Sequence, residues 1–168
     1  DKAKDAYRIS AHYIDEARSP HDGDEVTIKK SFMAALQSRA EISGGDYAFV
    51  DLSGLDLSRI DLTGAYLEYV NLTGAKLTDV NLTNAIFSHA IIEQTQFINC
   101  NFTGANLGGI EMIDSVFKDS DFTEATLSKS HIKNTRFENC KMSDKLDRFH
   151  ETRYSQASFV NSDLRKSA

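Results

Sequence analysis

Large apolar residues recur at every fifth position of this chain from residue 45 to residue 144, without a slip in register. The positions are Tyr47, Leu52, Leu57, Leu62, Leu67, Leu72, Leu77, Leu82, Phe87, Ile92, Phe97, Phe102, Leu107, Met112, Phe117, Phe122, Leu127, Ile132, Phe137 and Met142. The apolar face of a helix repeats about every 3.6 residues and that of a strand every second residue, so neither stays in phase with this period. We therefore expect the chain to turn once per repeat.

The residues around each apolar position are patterned as well. A small residue such as Ala65, Cys100 or Ser115 stands two positions before the apolar residue, and Asp or Asn often stands directly before the apolar residue. The clearest motifs are Asp61-Leu62-Thr63-Gly64, Asn71-Leu72-Thr73-Gly74, Asn81-Leu82-Thr83-Asn84 and Asn101-Phe102-Thr103-Gly104. With these motifs the sequence resembles the pentapeptide-repeat family over about 100 of its 168 residues. The resemblance implies an all-β solenoid, a right-handed quadrilateral β-helix with four pentapeptides per coil, hence five coils.

In such a coil the apolar residue and the small residue two positions before it point inward, and the other three face solvent. Residues twenty apart then stack at about the 4.8 Å spacing of neighbouring strands. Phe97, Phe117 and Phe137 are expected to form one interior ladder of this kind. Each coil buries its apolar side only against its neighbours, so both ends of the solenoid need a cover.

Residues 1–44 lack the period and predict two helices joined by the loop Ser19-Pro20-His21-Asp22-Gly23. Helical spacing of apolar residues runs over 3–17 and over 24–40, the second behind a possible cap at Asp24. We expect this N-terminal α-helical hairpin to cap the first coil. The alternative is a helix that docks a partner or forms a dimer.

After Met142 the apolar period jumps by seven residues to Phe149 and then resumes at Tyr154, Phe159 and Leu164. Residues 145–168 therefore predict a bulge at one corner followed by a sixth coil, or else a short helix from Ser143 that closes the far end. In the first case the C-terminal coil is left to form a homodimer contact or to continue into a further domain.

Candidate catalytic and metal-binding residues do not converge in this pattern. Asp46, Asp51, Asp56 and Asp61 are five apart, which puts them on four different faces of the first coil. The five histidines are scattered, and no Cys or His spacing matches a zinc site. We expect no enzyme activity, no metal and no cofactor.

Cys100 and Cys140 both occupy the inward small position, two coils apart. Two coils correspond to about 9.6 Å, beyond the roughly 7 Å at which two Cα atoms are bridged by a disulfide. Both cysteines are expected to be small buried residues, which suits a reducing compartment.

The outward positions of the first three coils carry an aromatic and apolar patch. Phe49, Tyr69 and His89 share one outward position, and Tyr66 and Ile86 share the neighbouring one on the same face. Aromatic anchors are favoured at protein interfaces, so these five residues are the predicted partner-binding residues. The alternative is that the N-terminal helices cover the patch.

Charge is modest and graded along the chain, with a net charge of −6. Residues 45–94 hold seven acidic and two basic residues, a net charge of −5, whereas residues 145–168 carry +2. This balance disfavours direct nucleic-acid binding, and no apolar run is long enough to span a membrane.

The sequence therefore predicts a noncatalytic protein-protein interaction or scaffold module whose partner is another protein. Two alternatives follow from the resemblance. One is an acidic DNA mimic that binds a DNA-binding enzyme such as gyrase. The other is a recognition domain of a bacterial effector such as a HECT-like ubiquitin ligase, which the helical lead-in and the non-Met start, Asp1, would suit. The expected location is accordingly the cytoplasm, or a host cell if the protein is delivered there.

Overall fold

A computed structural model describes residues 2–13, 24–142 and 151–162 of the chain. Helix α1 (Lys2–Ser10) runs into a 3-10 turn (Ala11–Tyr13), and helix α2 spans Glu25–Ser38. The strands are β1 (Lys76–Thr78), β2 (Ile91–Glu93), β3 (Gln96–Ile98), β4 (Glu111–Ile113), β5 (Val116–Lys118), β6 (His131–Lys133), β7 (Arg136–Glu138), β8 (Arg153–Ser155) and β9 (Ser158–Val160).

The repeats form a parallel β-solenoid with four faces. One face is the sheet β1-β3-β5-β7-β9 and a second is β2-β4-β6-β8. The other two faces are joined by isolated parallel bridges, one of which runs from Asp46 through Tyr66, Ile86 and Asn106 to Thr126. Four turns of 20 residues therefore separate the first and last levels of that face.

The five-residue period arises because the backbone turns at a corner in every repeat. At every such position in the described residues, the second residue after the inward apolar position has a positive φ, between 46° and 68°. This left-handed conformation is easy for Gly and, among the other residues, most accessible to Asn and Asp. Gly64, Gly74, Asn84 and Gly104 fill the position in the motifs that the sequence makes most regular.

The interior is a stack of side chains twenty residues apart. Phe97, Phe117 and Phe137 lie nearly parallel, with ring centroids 4.7 and 4.9 Å apart, as the sequence predicted. The inward small position is often Ser or Thr, and its side-chain hydroxyl donates a hydrogen bond to a backbone carbonyl oxygen of the preceding coil. The Oγ1 of buried Thr95, for example, donates to the carbonyl oxygen of Leu72 at 2.7 Å.

Helix α2 covers the first coil. Asp24 caps its N-terminus by accepting a hydrogen bond from the backbone N–H of Thr27. Phe32, fully buried, packs edge-on against the ring of Tyr47 at 4.7 Å between centroids. Helix α1 differs from the predicted end cap, since it lies along one side of the solenoid rather than over its end.

The solenoid continues past the break in the period. β8 and β9 pair in parallel with β6 and β7, but the register is 22 residues, as in His131 with Arg153 and Phe137 with Phe159. The longer register accommodates the two additional residues. Ser143, Phe149 and Leu164, on which the sequence predictions for this end also rested, lie outside the described residues.

Candidate functional site

Three aromatic rings stand at successive corner positions on one edge of the solenoid. Phe49, Tyr69 and His89 have φ values of 65°, 55° and 61°. The centroid of the Tyr69 ring is 5.1 Å from that of Phe49 and 5.0 Å from that of His89, and the rings are close to parallel. Phe49, at the N-terminal end, keeps 43% of its surface exposed. We call Phe49, Tyr69 and His89 the aromatic ladder.

The aromatic ladder stops where its column reaches glycine. The next residue in the column is Gly109, and a Cβ there would come within 2.8 Å of the His89 imidazole. The ring of His89 therefore lies over the bare backbone of the following coil. The ladder is thus confined to the first three coils, the same part of the solenoid that carries the strongest negative charge.

The face next to the ladder is covered by residues 2–13, which we call the strap. The ring of Tyr7 stacks on that of Tyr66 at 6.3 Å, and the Nζ of Lys4 lies 4.6 Å from the Tyr66 ring centroid. The hydroxyl of Tyr7 donates to Oε1 of Glu68 at 2.6 Å. We call this side of the solenoid, which bears Tyr66 and Glu68, the strap face.

Further along, the strap face binds the backbone and the end of the strap. The guanidinium of Arg8 donates to the carbonyl oxygen of Gly104. The side-chain amide of Asn106 donates to the carbonyl oxygen of Arg8 at 2.5 Å and lies 3.1 Å from Nδ1 of His12. Tyr13, the last residue of the 3-10 turn, packs under the ammonium group of Lys129.

The strap approaches the solenoid most closely at Gly108. A Cβ at this position would collide with the side chain of His12, so only glycine allows the 3-10 turn to sit this low. His12 is 5% exposed. Its burial, together with the nearby charge of Lys129, lowers its pKa from 6.5 to about 4, so the docked imidazole is neutral at pH 7.

The structure divides the five predicted partner-binding residues into two groups. Phe49, Tyr69 and His89 form the aromatic ladder beside the strap. Tyr66 lies under Lys4 and Tyr7, and Ile86 is fully buried, so neither offers its outward side to a partner while the strap is docked.

Sequence reasoning missed Glu68, Asn106 and His12 as members of the strap interface. Glu68 and Asn106 are 1% exposed although both occupy outward positions of their repeats. The sequence signal that could have placed Asn106 in the interface is its position, because it stands in the same column as Tyr66 and Ile86. A buried polar residue on the outside of a solenoid requires a covering element.

The acidic residues of the first coil serve their own turns. Oδ1 of Asp51, Asp56 and Asp61 accepts from the backbone N–H two residues ahead, at 2.9 to 3.0 Å. Hydrogen bonds from Ser53 and Ser58 lower the pKa of Asp51 and Asp56, which keeps these carboxylates ionised. Among the described residues no group of three or more His, Cys, Asp or Glu side chains is placed to hold a metal ion.

Cys100 and Cys140 are buried and not bonded to each other. Each thiol donates to the carbonyl oxygen 23 residues earlier, Leu77 and Phe117 respectively. Burial raises the pKa of Cys100 to about 11 and that of Cys140 above its usual value. Both therefore fill the inward small position that the sequence assigned to them.

No helix in the described ranges combines the length and the apolar composition that a membrane crossing requires. No curated protein shows significant similarity to the chain. Among solved structures, a pentapeptide repeat protein from the Arabidopsis thaliana thylakoid lumen is 22% identical and matches 59% of this chain and 69% of that one, with a TM-score of 0.57. That likeness shows a shared fold.

Two further solved structures align less well. HetL, a pentapeptide repeat protein involved in heterocyst differentiation regulation from the cyanobacterium Nostoc, is 18% identical over 73% of this chain and 65% of its own, with a TM-score of 0.39. The plasmid-mediated fluoroquinolone resistance protein QnrB1 is 18% identical over 69% of this chain and 63% of its own, with a TM-score of 0.40.

Family models match most of the solenoid. The pentapeptide repeat region model covers residues 90–168, and the model of eight pentapeptide repeats covers residues 48–84. Together with the four-faced parallel solenoid, whose backbone turns a corner once every five residues, these matches show that the chain belongs to the pentapeptide-repeat family.

Proposed function

We propose that this protein is a noncatalytic protein-binding module and that it binds its partner through the aromatic ladder. The observation that carries the proposal is the placement of three stacked rings at left-handed corner positions. Phe49, Tyr69 and His89 have φ values of 55° to 65° there. For a residue with a Cβ this conformation costs on the order of 1 to 2 kcal/mol.

Stacking offsets this strain only in part. A stacked aromatic pair contributes about 0.5 to 1.5 kcal/mol beyond its buried area, and the ladder has two such pairs for three strained residues. Asn84 and Asp79 adopt the same corner conformation on other faces without a large ring. The fold alone therefore does not call for aromatic residues at this edge, which supports a role in binding.

The form of the ladder suits a protein partner. Its rings are held by stacking and by the corner backbone, so little side-chain freedom remains to be lost on binding. Rigid, partly exposed aromatic residues are the anchors that protein interfaces favour. The neighbouring acidic residues of the first coils would form a charged rim around such a contact.

The test is capture of a partner from a lysate of the source cells with three forms of the full chain. The first is wild type and the second is Phe49→Asn combined with Tyr69→Asn. Asn occurs at the same corner at Asn84 and Asn99, so the double substitution is compatible with the turn. The third is the matched control Arg59→Asn, which changes the same corner position on a different face.

We expect a partner that wild type and Arg59→Asn retain and that the double variant loses, while both variants are at least as thermally stable as wild type because Asn suits the left-handed corner. Retention in high salt is expected, because an aromatic contact is screened little. Equal capture by the double variant would refute the ladder as the contact. A DNA-binding enzyme released by salt from all forms would instead support the acidic DNA mimic.

A further inference from the structure

The strap has little stability of its own. Helix α1 has nine residues and none of them is buried. Isolated helices shorter than about 12 to 15 residues are marginal in water, so α1 owes its helical form to docking on the strap face. Two of the strap's apolar side chains, Ile9 and Tyr13, remain 55% exposed. Apart from buried Ala11 and the stack of Tyr7 on Tyr66, the strap is therefore held by polar contacts rather than by an apolar core.

These polar contacts are specific for one pattern of side chains. Buried Glu68 accepts from the hydroxyl of Tyr7, and the carbonyl oxygen of Gly104 accepts from the guanidinium of Arg8. Tyr66 takes the cation of Lys4 over its ring. The strap face thus selects a helix that carries a cation, then Tyr three residues later, then Arg.

The docking also leaves buried polar atoms unsatisfied. Among the described residues, Nε2 of His12 and Oγ of Ser88, in the column of Glu68, are buried without a hydrogen-bond partner. Such groups lose their hydration and gain no bond in return, which weakens the docked state relative to the open one. The strap is therefore a specific occupant of this face but not an optimal one.

Charge favours a cationic occupant. Residues 2–13 hold three basic side chains and one acidic one, a net charge of +2. On the strap face itself, the acidic residues Asp46, in the column of Tyr66, and Glu68 act on the end where Lys4 docks. The attraction is available to any helix with the same charge pattern.

We propose that the strap is a displaceable mask and that the strap face is a docking site for a cationic amphipathic helix of a partner protein with the Lys, Tyr, Arg pattern of α1. A partner helix gains the contacts to Glu68, Gly104 and Asn106 only after the strap has left. The strap consequently sets a threshold that a partner must exceed. The strap face is separate from the aromatic ladder, so this site exists whether or not the ladder binds a protein.

The experiment uses the full chain and a fluorescent peptide with the sequence of residues 2–13 as the probe helix. Binding is followed by fluorescence anisotropy to wild type and to a strap variant, Tyr7→Ala combined with Arg8→Ala. A third form adds Glu68→Gln and Asn106→Ala to the strap variant. A control peptide replaces its own Tyr and Arg by Ala, and hydrogen-exchange mass spectrometry follows release of the strap.

We expect the peptide to bind the strap variant at least tenfold more tightly than wild type, because the variant's own strap competes less. The third form and the control peptide should each lose that binding, while β-sheet amides stay protected. Equal affinity for wild type and the strap variant would overturn the mask. Binding that survives in the third form, with its β-sheet still protected, would overturn the docking site. Absence of binding to the strap variant, with the strap shown released, would also overturn it.

Discussion

At the scale of single residues, the interior stack of Phe97, Phe117 and Phe137 determines the stability of the solenoid. Phe117 is stacked between Phe97 and Phe137 and is fully buried, so its ring contacts a partner above and below. A narrow solenoid interior is filled by one large and one small side chain per side. The neighbouring coils are tied to this level by backbone hydrogen bonds and cannot easily collapse into a gap.

Phe117→Ala is therefore expected to lower the free energy of unfolding by about 3 to 5 kcal/mol, the range for deleting a buried ring that leaves a cavity. Ile91→Ala is the matched control, because Ile91 is 47% exposed on the outside of β2. Denaturant titration followed by circular dichroism measures both. A loss of similar size in the two variants would contradict the stacked interior.

The corner residues show what the sequence could and could not predict. The five-residue period made the inward positions certain, and all twenty central apolar positions lie on the interior side, from Tyr47 to Met142. The burial of the outward residues was harder to predict, since the five-residue period says only that their side chains point away from the interior. Ile86 and Tyr69 are equally outward in sequence, yet one is buried and the other lies at an open corner.

At the scale of elements, the position of α1 could not be predicted from local sequence. The contacts of Tyr7 and Arg8 join residues 61 and 96 positions apart, and Asn106 reaches back 98 positions to Arg8. No period or cap motif encodes such pairings. Helix α2 was easier, because its cap at Asp24 and its apolar spacing are local signals that agree with its packing.

Docking of the strap should depend on pH through His12. Its pKa is about 4 when docked and 6.5 when free, so the released form binds more protons in between. The stabilisation is complete above pH 6.5 and is lost as the pH falls towards 4, by at most about 3 kcal/mol. The charge of Lys129 and, to a smaller extent, that of His89 also disfavour a charged imidazole, and the hydrogen bond with Asn106 opposes these effects only in part.

NMR amide signals of α1 between pH 7 and pH 4 measure this dependence. The docked signals should decline through that range in wild type and in the control His131→Gln, whose histidine lies on another face. His12→Gln removes the titrating group and should flatten the profile. A decline that persists unchanged in His12→Gln would show that another group controls the docking.

At the scale of the whole molecule, the solenoid is a stack in which each coil contacts only its neighbours. The strap is different, because it contacts Tyr66 at one end and Lys129 at the other. Along its own face that span crosses three coil-to-coil steps, from Tyr66 to Thr126. Release of the strap should therefore affect coils that do not touch one another.

Gly108→Ala tests this coupling, since its Cβ meets the side chain of His12 and pushes the 3-10 turn away. Hydrogen exchange should then accelerate in α1, at the bridge of Tyr66 and at that of Thr126 together, while β5 and β7 on another face keep their protection. Ser53→Ala, at an outward position of the first coil away from the strap, is the control. Acceleration confined to residues next to 108 would show that the strap does not connect the coils.

The strap also changes how the molecule would respond to force. A solenoid without a strap, pulled from its two ends, is expected to unfold one coil at a time, because each coil contacts only its neighbours. The strap bridges several coils and contacts the solenoid at both of its ends. Those coils should therefore resist the force until the strap detaches and then unfold together. Twelve residues from the start of the chain would thereby decide whether the rod unzips gradually or breaks in one event.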